Sequence, residues 1–178
     1  MPFGHRGQAL GIAPETIREA IKSFSPPLGR TEIVHEGDFT VIIDFAHKPD
    51  AMEAILQAAQ DLIKGKGRTV NMFGSASERD ILKRPMMGTI SGRYADITVI
   101  TDEDPRFEDP ISIINEIAAG CVQAGAIEIT EDFMNKSKHV FIKIPDRNKA
   151  IEYIITKIAK KGDIILLCGK GHETSMNY

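Results

Sequence analysis

Tryptophan is absent from this chain of 178 residues, and cysteine occurs only at Cys121 and Cys168. Both cysteines lie in apolar stretches without CxxC spacing, which favours buried free thiols in a reducing compartment over a disulfide or a metal site. No apolar run approaches the ~20 residues needed to cross a bilayer, and the first residues lack the apolar core of a signal peptide. We therefore expect a cytoplasmic protein without a membrane segment.

Positive charge is not in excess either. The chain has 22 Lys and Arg against 25 Asp and Glu, a formal net charge of −3, whereas nucleic-acid surfaces normally need a strong local excess of basic residues. Lys157, Lys160 and Lys161 fall at a predicted helix end, where cations are favoured by the helix dipole. The content of hydrophobic residues, 42%, is typical of a globular protein. These values favour one globular domain with a short appendage and argue against a nucleic-acid partner.

Two nucleotide-binding fingerprints are missing. The sequence contains no GxxxxGK[ST], so we expect no Walker-type triphosphate site in the chain itself. It also contains no GxGxxG, which weakens the hypothesis of a nucleotide-cofactor oxidoreductase domain. Gly169-Lys170-Gly171 is similar to a phosphate-cradling loop, but three residues are a weak signal.

The sequence from residue 31 onward alternates between strand and helix patterns. Apolar, β-branched runs predict strands at 31–36, 39–45, 68–74, 96–101, 139–144 and 163–169. Between them, helical patterns occupy 49–64, 80–95, 110–125 and 146–161. In the first of these helices, Ala51, Ile55, Ala58 and Leu62 are spaced for one buried face.

This alternation predicts a Rossmann-like, three-layer α/β domain. Near-continuous apolar strands separated by helices indicate a mostly parallel sheet covered on both faces. Residues 31–36 are joined to the next strand by Gly37-Asp38, which predicts an antiparallel edge hairpin. We therefore expect a six-stranded, mostly parallel sheet with one antiparallel edge strand.

The segment before this domain has a different pattern. Residues 14–24 form a helical pattern of their own, which the two prolines of 25–30 bring to an end. A helix followed by such a linker resembles the end of a preceding domain. We interpret residues 1–25 as a helical remnant and residues 26–178 as the domain proper.

Polar residues follow four of the predicted strands. They occur in the segments 44–50, 75–80, 102–106 and 170–173. Ligands of open parallel sheets bind beyond the carboxyl ends of the strands, so these segments predict a ligand site at one edge. Simpler explanations remain open for each residue. Asp102 and Asp104 could form a turn around Pro105, Arg79 and Arg84 could be solvated helix-face charges, and His47 could be a satisfied core histidine.

Five ordered motifs resemble the Mur ligases, in the branch of the UDP-N-acetylmuramoyl-tripeptide synthetases. The chain reads PLGR at 27–30, DFAHKPD at 44–50, RDILKRPMMG at 79–88, EDPRFEDP at 103–110 and GKGHE at 169–173. The family patterns similar to the middle three are DYAHxPD, RDxxKRPxMG and DNPRxEDP. The resemblance covers residues 25–175, and residues 7–24 resemble the tail of the family's central ATPase domain.

The resemblance implies a function for these motifs. Mur ligases of this branch use ATP and Mg²⁺ to activate the carboxylate of a UDP-muramoyl-dipeptide, which an incoming diamino acid then attacks. By this resemblance, Arg30, Asp44 and His47 would face ATP, and Arg79 would bind the amino acid's carboxylate. Asp104, Arg106, Gly169 and Glu173 would hold its side-chain end. Catalysis would then rest on positioning and charge neutralisation, with no general base.

The other domains of the enzyme must be supplied separately. The resemblance places the P-loop and most of the Mg²⁺ site in a central domain outside this chain, so we expect the chain to be inactive alone. It needs the N-terminal and central ligase domains in cis or in trans. A fragment of a gene and one part of a split protein are both consistent with the sequence.

The motif at 103–110 departs from the family pattern DNPRxEDP. Asp104 stands where the family has asparagine, and the residue before Asp104 is Glu103. An extra carboxylate would repel a substrate carboxylate and attract an ammonium, whereas Arg106 favours meso-diaminopimelate over lysine. The alternative function from a different class is a non-catalytic module that binds an amino acid or a cell-wall precursor.

Overall fold

The computed structural model describes residues 9–63, 65–78, 80–130 and 139–177. The strands of this part of the chain are β1 Glu32–Glu36, β2 Thr40–Asp44, β3 Thr69–Phe73, β4 Ile97–Ile100, β5 Ile127–Glu128, β6 Val140–Lys143 and β7 Ile164–Cys168. The α-helices are α1 Pro14–Lys22, α2 Pro49–Ile63, α3 Lys83–Tyr94, α4 Pro110–Gln123 and α5 Arg147–Tyr153. A π-helical turn, Ile154–Ile158, continues α5.

The strands form one sheet in the order β1-β2-β7-β3-β4-β6-β5. Only β1 runs antiparallel to its neighbour, and the pairs of the remaining strands are parallel. The predicted mostly parallel sheet with an antiparallel edge strand is confirmed. The structure adds β5 to the six predicted strands, because two residues are too few to show a period in the sequence.

Apolar side chains cover both faces of the sheet. One core contains residues of α2, α3 and α4 together with strand residues such as Phe73, Ile100 and Leu166. The other contains Val70, Met72 and Ile165 packed against α5 and the π-helical turn. Alternation along β3 sends Met72 to one core and Phe73 to the other. The three-layer arrangement follows from strands that are apolar on both faces.

The predicted buried face of α2 is wrong apart from Ile55. The residues that the helix buries are Met52, Ile55, Leu56 and Ala59, whereas Leu62 is 65% exposed. Apolar residues occur almost all round this helix, so spacing alone allowed two neighbouring faces. The larger side chains of Met52 and Leu56 occupy the core because they bury more apolar area than the alanines do.

Helices α3 and α4 touch through two glycines. A Cβ on Gly88 would overlap the backbone oxygen of Ile117, and a Cβ on Gly120 would overlap that of Pro85. The two helix backbones can therefore approach more closely than larger residues allow. Because α3 begins just after the segment 75–80 and α4 just after the segment 101–109, this contact fixes the two segments relative to each other.

Both cysteines are buried free thiols, as predicted. Burial raises the pKa of Cys121 to about 12, and it raises that of Cys168 as well. Neither sulfur has the thiolate character that reactivity requires. Helix α1 buries none of its residues. In the described residues, no helix is both long enough and apolar enough to span a bilayer.

Candidate functional site

An open cavity of about 480 Å³ lies at the carboxyl ends of the central strands. It collects residues from the segments that follow β2, β3, β4 and β7, which are four consecutive strands of the sheet. Five of the predicted site residues line it: His47, Asp104, Arg106, Gly169 and Glu173. These five residues lie together at one edge of the sheet, as expected for residues that follow the carboxyl ends of parallel strands.

The remaining three predicted site residues are Arg30, Asp44 and Arg79. Arg30 and Asp44 are not among the residues that line the cavity. Arg79 lies outside the described residues, so its predicted contact with a carboxylate stays a prediction. The neighbouring residues Ala76 and Lys83 line the cavity on either side of position 79 in the chain.

Lys170 joins two carboxylates in the wall of the cavity. Its Nζ lies 2.8 Å from Oδ1 of Asp104 and 2.9 Å from Oε2 of Glu173. We call these three residues the Lys170 cluster. Burial lowers the pKa of Lys170, but the hydrogen bonds to Asp104 and Glu173 outweigh it and the pKa is raised overall. Burial raises the pKa of Asp104, but the hydrogen bonds from Lys170 and Asn177 outweigh it and hold this pKa below its usual value.

Glu103 is a buried carboxylate beside this cluster. It is 6% exposed, and its Oε2 has no hydrogen-bond partner among the described residues. Burial raises the pKa of Glu103, which the nearby guanidinium of Arg147 partly counteracts. A Cβ at Gly169 would overlap Oε2 of Glu103, and Gly169 has a φ of +101°. Glycine at 169 is thus required both by its backbone conformation and by the carboxylate packed against it.

Arg106 projects from a strained turn at the rim. Its φ is +49° and that of Asp104 is +42°. The backbone of Asn177 stabilises the turn, because its N–H donates to Asp104 Oδ1 at 2.9 Å and its carbonyl accepts from Arg106 N at 3.0 Å. No described residue forms an ion pair with the Arg106 guanidinium. The fork of donors on Arg106 is therefore open to a carboxylate from solution.

Arg84 forms a second charged cluster, whose residues are not among those that line the cavity. Its guanidinium donates to both carboxylate oxygens of Glu108, at 2.9 and 3.0 Å, and to Glu116 at 3.0 Å. We call these residues the Arg84 cluster. The Arg84 side chain is 1% exposed, so the alternative of a solvated helix-face charge is wrong for Arg84.

Glu108 connects the Arg84 cluster to the loop before α3. One of its oxygens accepts from the amide N of Glu78 at 2.7 Å. The Arg84 guanidinium and this amide lower the pKa of Glu108 to about 2. Next to it, Asp109 accepts from Ile111 N and caps α4. The EDP residues of this motif therefore serve the scaffold, whereas the preceding Asp104 and Arg106 face the cavity.

Asp44 braces the linker turn that carries Arg30. Its carboxylate accepts from the N–H and the hydroxyl of Thr31, at 2.7 and 3.1 Å, and from Ala46 N at 2.8 Å. Thr31 has a φ of +52°, so these bonds hold a backbone conformation that is costly for threonine. The exposed Arg30 lies over the ring of Phe45, 5.1 Å from its centroid. A direct contact of Asp44 with a nucleotide stays a prediction.

His47 lies between Phe45 and Lys83. Its Nδ1 is 2.9 Å from the carbonyl oxygen of Phe45, and the two rings meet edge to face at 4.7 Å. Its own carbonyl accepts from Lys83 Nζ at 2.9 Å. Half-buried but lining the cavity, His47 combines features of both sequence interpretations: one ring nitrogen is satisfied internally, and the side chain borders the site.

Sequence reasoning missed the roles of Lys170 and Arg147. In the sequence Lys170 stands out only as part of a glycine-flanked triplet, and its partner Asp104 lies 66 positions away. Arg147 donates to the carbonyl oxygens of Asp102 and Cys168, at 3.2 and 2.7 Å, and thereby ties the ends of β4 and β7 together. The sequence places Arg147 near the start of the predicted helix 146–161, which does not indicate these contacts.

The cavity thus offers groups of both charges within one space. Arg106 can take a carboxylate, and the carboxylates of Glu173 and Asp104 can take an ammonium. The arrangement suits a small zwitterion. Among the described residues, no group of three or more His, Cys, Asp or Glu side chains is placed to hold a metal ion.

Comparison with known proteins assigns the domain. The family model for the Mur ligase, glutamate ligase domain matches residues 29–171. The chain belongs to this family. Its match begins at the linker turn that Asp44 braces and ends within the loop after β7, so it includes each strand of the sheet.

Several curated proteins are similar to this member of the Mur ligase family over most of its length. A UDP-N-acetylmuramoyl-L-alanyl-D-glutamate–2,6-diaminopimelate ligase from Aquifex aeolicus is 40% identical over 92% of the chain. A UDP-N-acetylmuramyl-tripeptide synthetase from Treponema pallidum is 41% identical over 95%. The chain spans 30% and 29% of the lengths of these two relatives.

Solved structures share the fold. A UDP-N-acetylmuramoyl-L-alanyl-D-glutamate–2,6-diaminopimelate ligase aligns with a TM-score of 0.68 and 24% identity, covering 97% of this chain and 32% of the other. A bifunctional folylpolyglutamate synthase/dihydrofolate synthase from Yersinia pestis, complexed with AMPPNP and Mn ion, aligns with a TM-score of 0.59 and 20% identity. That alignment covers 89% of this chain and 32% of the other.

Proposed function

We propose that this chain is the domain of an ATP-dependent ligase that binds the incoming diamino acid. The ligase would join that amino acid to UDP-N-acetylmuramoyl-L-alanyl-D-glutamate in peptidoglycan synthesis, in the cytoplasm. One observation carries the proposal: Asp104, Arg106, Gly169 and Glu173, from two motifs distant in sequence, line a single cavity. The 40% identity to a 2,6-diaminopimelate ligase supports the same substrate class.

The side-chain end of the amino acid would lie between Arg106 and Glu173. Arg106 offers two parallel N–H donors to a carboxylate, and Glu173 offers an oxygen to an ammonium. A diaminopimelate side chain ends in both groups, so it can satisfy both residues at once. Lysine ends in an ammonium alone and would leave Arg106 without a partner. We therefore propose meso-diaminopimelate as the substrate.

This domain would hold the reacting amino group of the diamino acid in position but would not deprotonate it. Arg79, which follows Glu78 in the sequence, would bind the carboxylate next to the reacting amine. Positioning of the nucleophile beside an activated acyl group can contribute a large share of catalysis. No residue of the cavity needs to act as a general base in this proposal.

ATP would be shared with a central ATPase domain. Arg30 would reach the ATP phosphates from the linker turn that Asp44 braces, and His47 would face the nucleoside. Phosphoryl transfer depends chiefly on charges placed around the phosphates, which an exposed guanidinium can supply. We propose that Mg²⁺ is held mainly by the central domain, and that the exposed helix α1 is the end of that domain.

Calorimetric titration of this chain tests the proposal. We expect meso-diaminopimelate to bind, L-lysine to bind at least ~10-fold more weakly, and Arg106→Ala to lower the affinity for diaminopimelate. The matched control is Arg93→Ala, which removes an exposed arginine of α3 that does not line the cavity. A wild-type chain that binds neither amino acid would contradict the proposal.

A further inference from the structure

The ammonium of Lys170 lies where two carboxylates of the cavity wall meet. It is within hydrogen-bond distance of both Asp104 and Glu173, and its side chain is only 9% exposed. Glu173, by contrast, is 41% exposed at its side chain and reaches the open space. The carboxylate proposed to accept a substrate ammonium is therefore already bonded, through one oxygen, to an ammonium of the protein itself.

This contact fixes the charge at the side-chain end of the site. Asp104 and Glu173 contribute two negative charges, while Lys170 and Arg106 contribute two positive charges, so these four residues sum to zero. The two other charged residues that line the cavity, Glu103 and Lys83, carry opposite formal charges and leave this sum unchanged. A neutral set of charges matches a zwitterionic end group, and it disfavours a group with an uncompensated positive charge.

The removal of Lys170 would reverse this preference. The remaining Asp104, Glu173 and Arg106 would sum to one negative charge, which matches a lone ammonium. Lys170 is needed because of Asp104. Without the Asp104 carboxylate, the charges of Glu173 and Arg106 would already sum to zero. Specificity of this kind comes from a repulsive element as well as an attractive one.

We propose that Lys170 is a specificity-determining residue. Its ammonium neutralises Asp104 and occupies one side of Glu173, so that the site accepts an amino acid with a zwitterionic side-chain end and rejects one with a lone cation. The inference rests on the proposed function and adds to it a residue that selects between diamino acids.

A charge cycle with two substitutions tests this role. Calorimetry with meso-diaminopimelate and L-lysine would measure the ratio of the two affinities in the wild-type chain, Lys170→Met, Asp104→Asn and the double variant. The charges of the four-residue set are zero, −1, +1 and zero in that order. Asp104→Asn keeps the shape of the side chain, and methionine keeps most of the length of lysine.

The expected ratios follow these charges. Lys170→Met should lower the preference for diaminopimelate roughly tenfold, as one unit charge acting through a partly solvated site would. Asp104→Asn should raise the preference. The double variant should return it to near the wild-type value, although it lacks the lysine altogether. A merely structural role of Lys170 predicts instead that the double variant stays as impaired as Lys170→Met.

Two outcomes separate this inference from the proposed function. In the first outcome, the wild-type chain binds diaminopimelate, but Lys170→Met leaves the ratio of the two affinities unchanged or the double variant does not restore it. This result overturns the role of Lys170 and leaves the proposed function intact. A wild-type chain that binds neither amino acid contradicts the proposed function, and the inference with it.

Discussion

Arg84 and Lys170 each join two carboxylates, and both depend on the segment between β4 and α4 for one of them. Arg84 is 1% exposed, its donors are directed at Glu108 and Glu116, and none of these three residues lines the cavity. Lys170 bonds Asp104 and Glu173 in the cavity wall, where Glu173 reaches solvent. The first arrangement fixes two loops, whereas the second leaves carboxylate oxygens next to open space. One segment therefore carries a scaffold group, Glu108, only four residues after a cavity-lining group, Asp104.

The largest expected effect comes from breaking the Arg84 cluster. Arg84→Ala should lower the free energy of unfolding by about 3 kcal/mol, because it leaves Glu108 and Glu116 without their buried partner. Urea unfolding measures this loss. Arg84→Lys should recover part of it, since lysine keeps the charge but lacks the planar fork. A loss below ~0.5 kcal/mol, the size of an ordinary surface substitution, would show that the cluster is not a clamp.

In the cavity, a substitution should weaken binding and leave stability nearly unchanged. Arg106→Ala should leave the urea midpoint nearly unchanged, because the guanidinium makes no ion pair among the described residues. The affinity for meso-diaminopimelate should fall by roughly 10- to 100-fold, the range for a charged hydrogen-bonded pair. Calorimetry beside the Arg93→Ala control measures it. If Arg106→Ala and Arg93→Ala bound meso-diaminopimelate with equal affinity, Arg106 would not be part of the binding site.

Gly169→Ala should affect both properties at once. Its φ of +101° is unfavourable for alanine, and the added Cβ would overlap the Glu103 carboxylate. We expect a loss of about 1–3 kcal/mol in stability, measured by urea unfolding, together with weaker binding of diaminopimelate. The double variant Gly169→Ala/Glu103→Ala keeps the backbone strain but removes the overlap, so it should be less impaired. No recovery in the double variant would argue against the packing of Glu103 on Gly169.

The smallest effect concerns acid stability. The pKa of Glu108 is lowered to about 2 in the folded state, against about 4.3 for an unperturbed glutamate. Its contribution to stability is therefore complete above about pH 4.3 and is lost as the pH falls towards 2. Urea midpoints between pH 6 and 2 should fall less steeply for Glu108→Gln, starting from a lower value. Parallel curves for the two proteins would contradict the role of Arg84 as the partner of Glu108.

The sequence alone predicts which edge of the sheet holds the site. Parallel strands end at the same edge, so polar residues after four strands had to come together wherever those strands lay. The order of the strands was not predictable in this way. Insertion of β7 between β2 and β3 is what brings Gly169 and Glu173 to the middle of the site, and it depends on packing far along the chain.

The sequence did not predict which charged side chains pair with each other. Lys170 and Asp104 are 66 positions apart, and Arg84 and Glu108 are 24 apart. No local period relates such pairs, and burial of Arg84 becomes possible only once two carboxylates converge on it. The same limit applies to Asp44, whose carboxylate bonds a threonine 13 positions earlier in the linker turn.

The central claim is best tested in a complete ligase. In a chimera, residues 26–178 of this chain would replace the matching domain of the Aquifex aeolicus relative, which is 40% identical over 163 residues. We expect ATP-dependent ligation of meso-diaminopimelate to UDP-N-acetylmuramoyl-L-alanyl-D-glutamate, measured as ADP release, and a loss of that turnover in Arg106→Ala. A folded chimera that binds ATP and both substrates but forms no product would contradict it, and would favour a non-catalytic binding module instead.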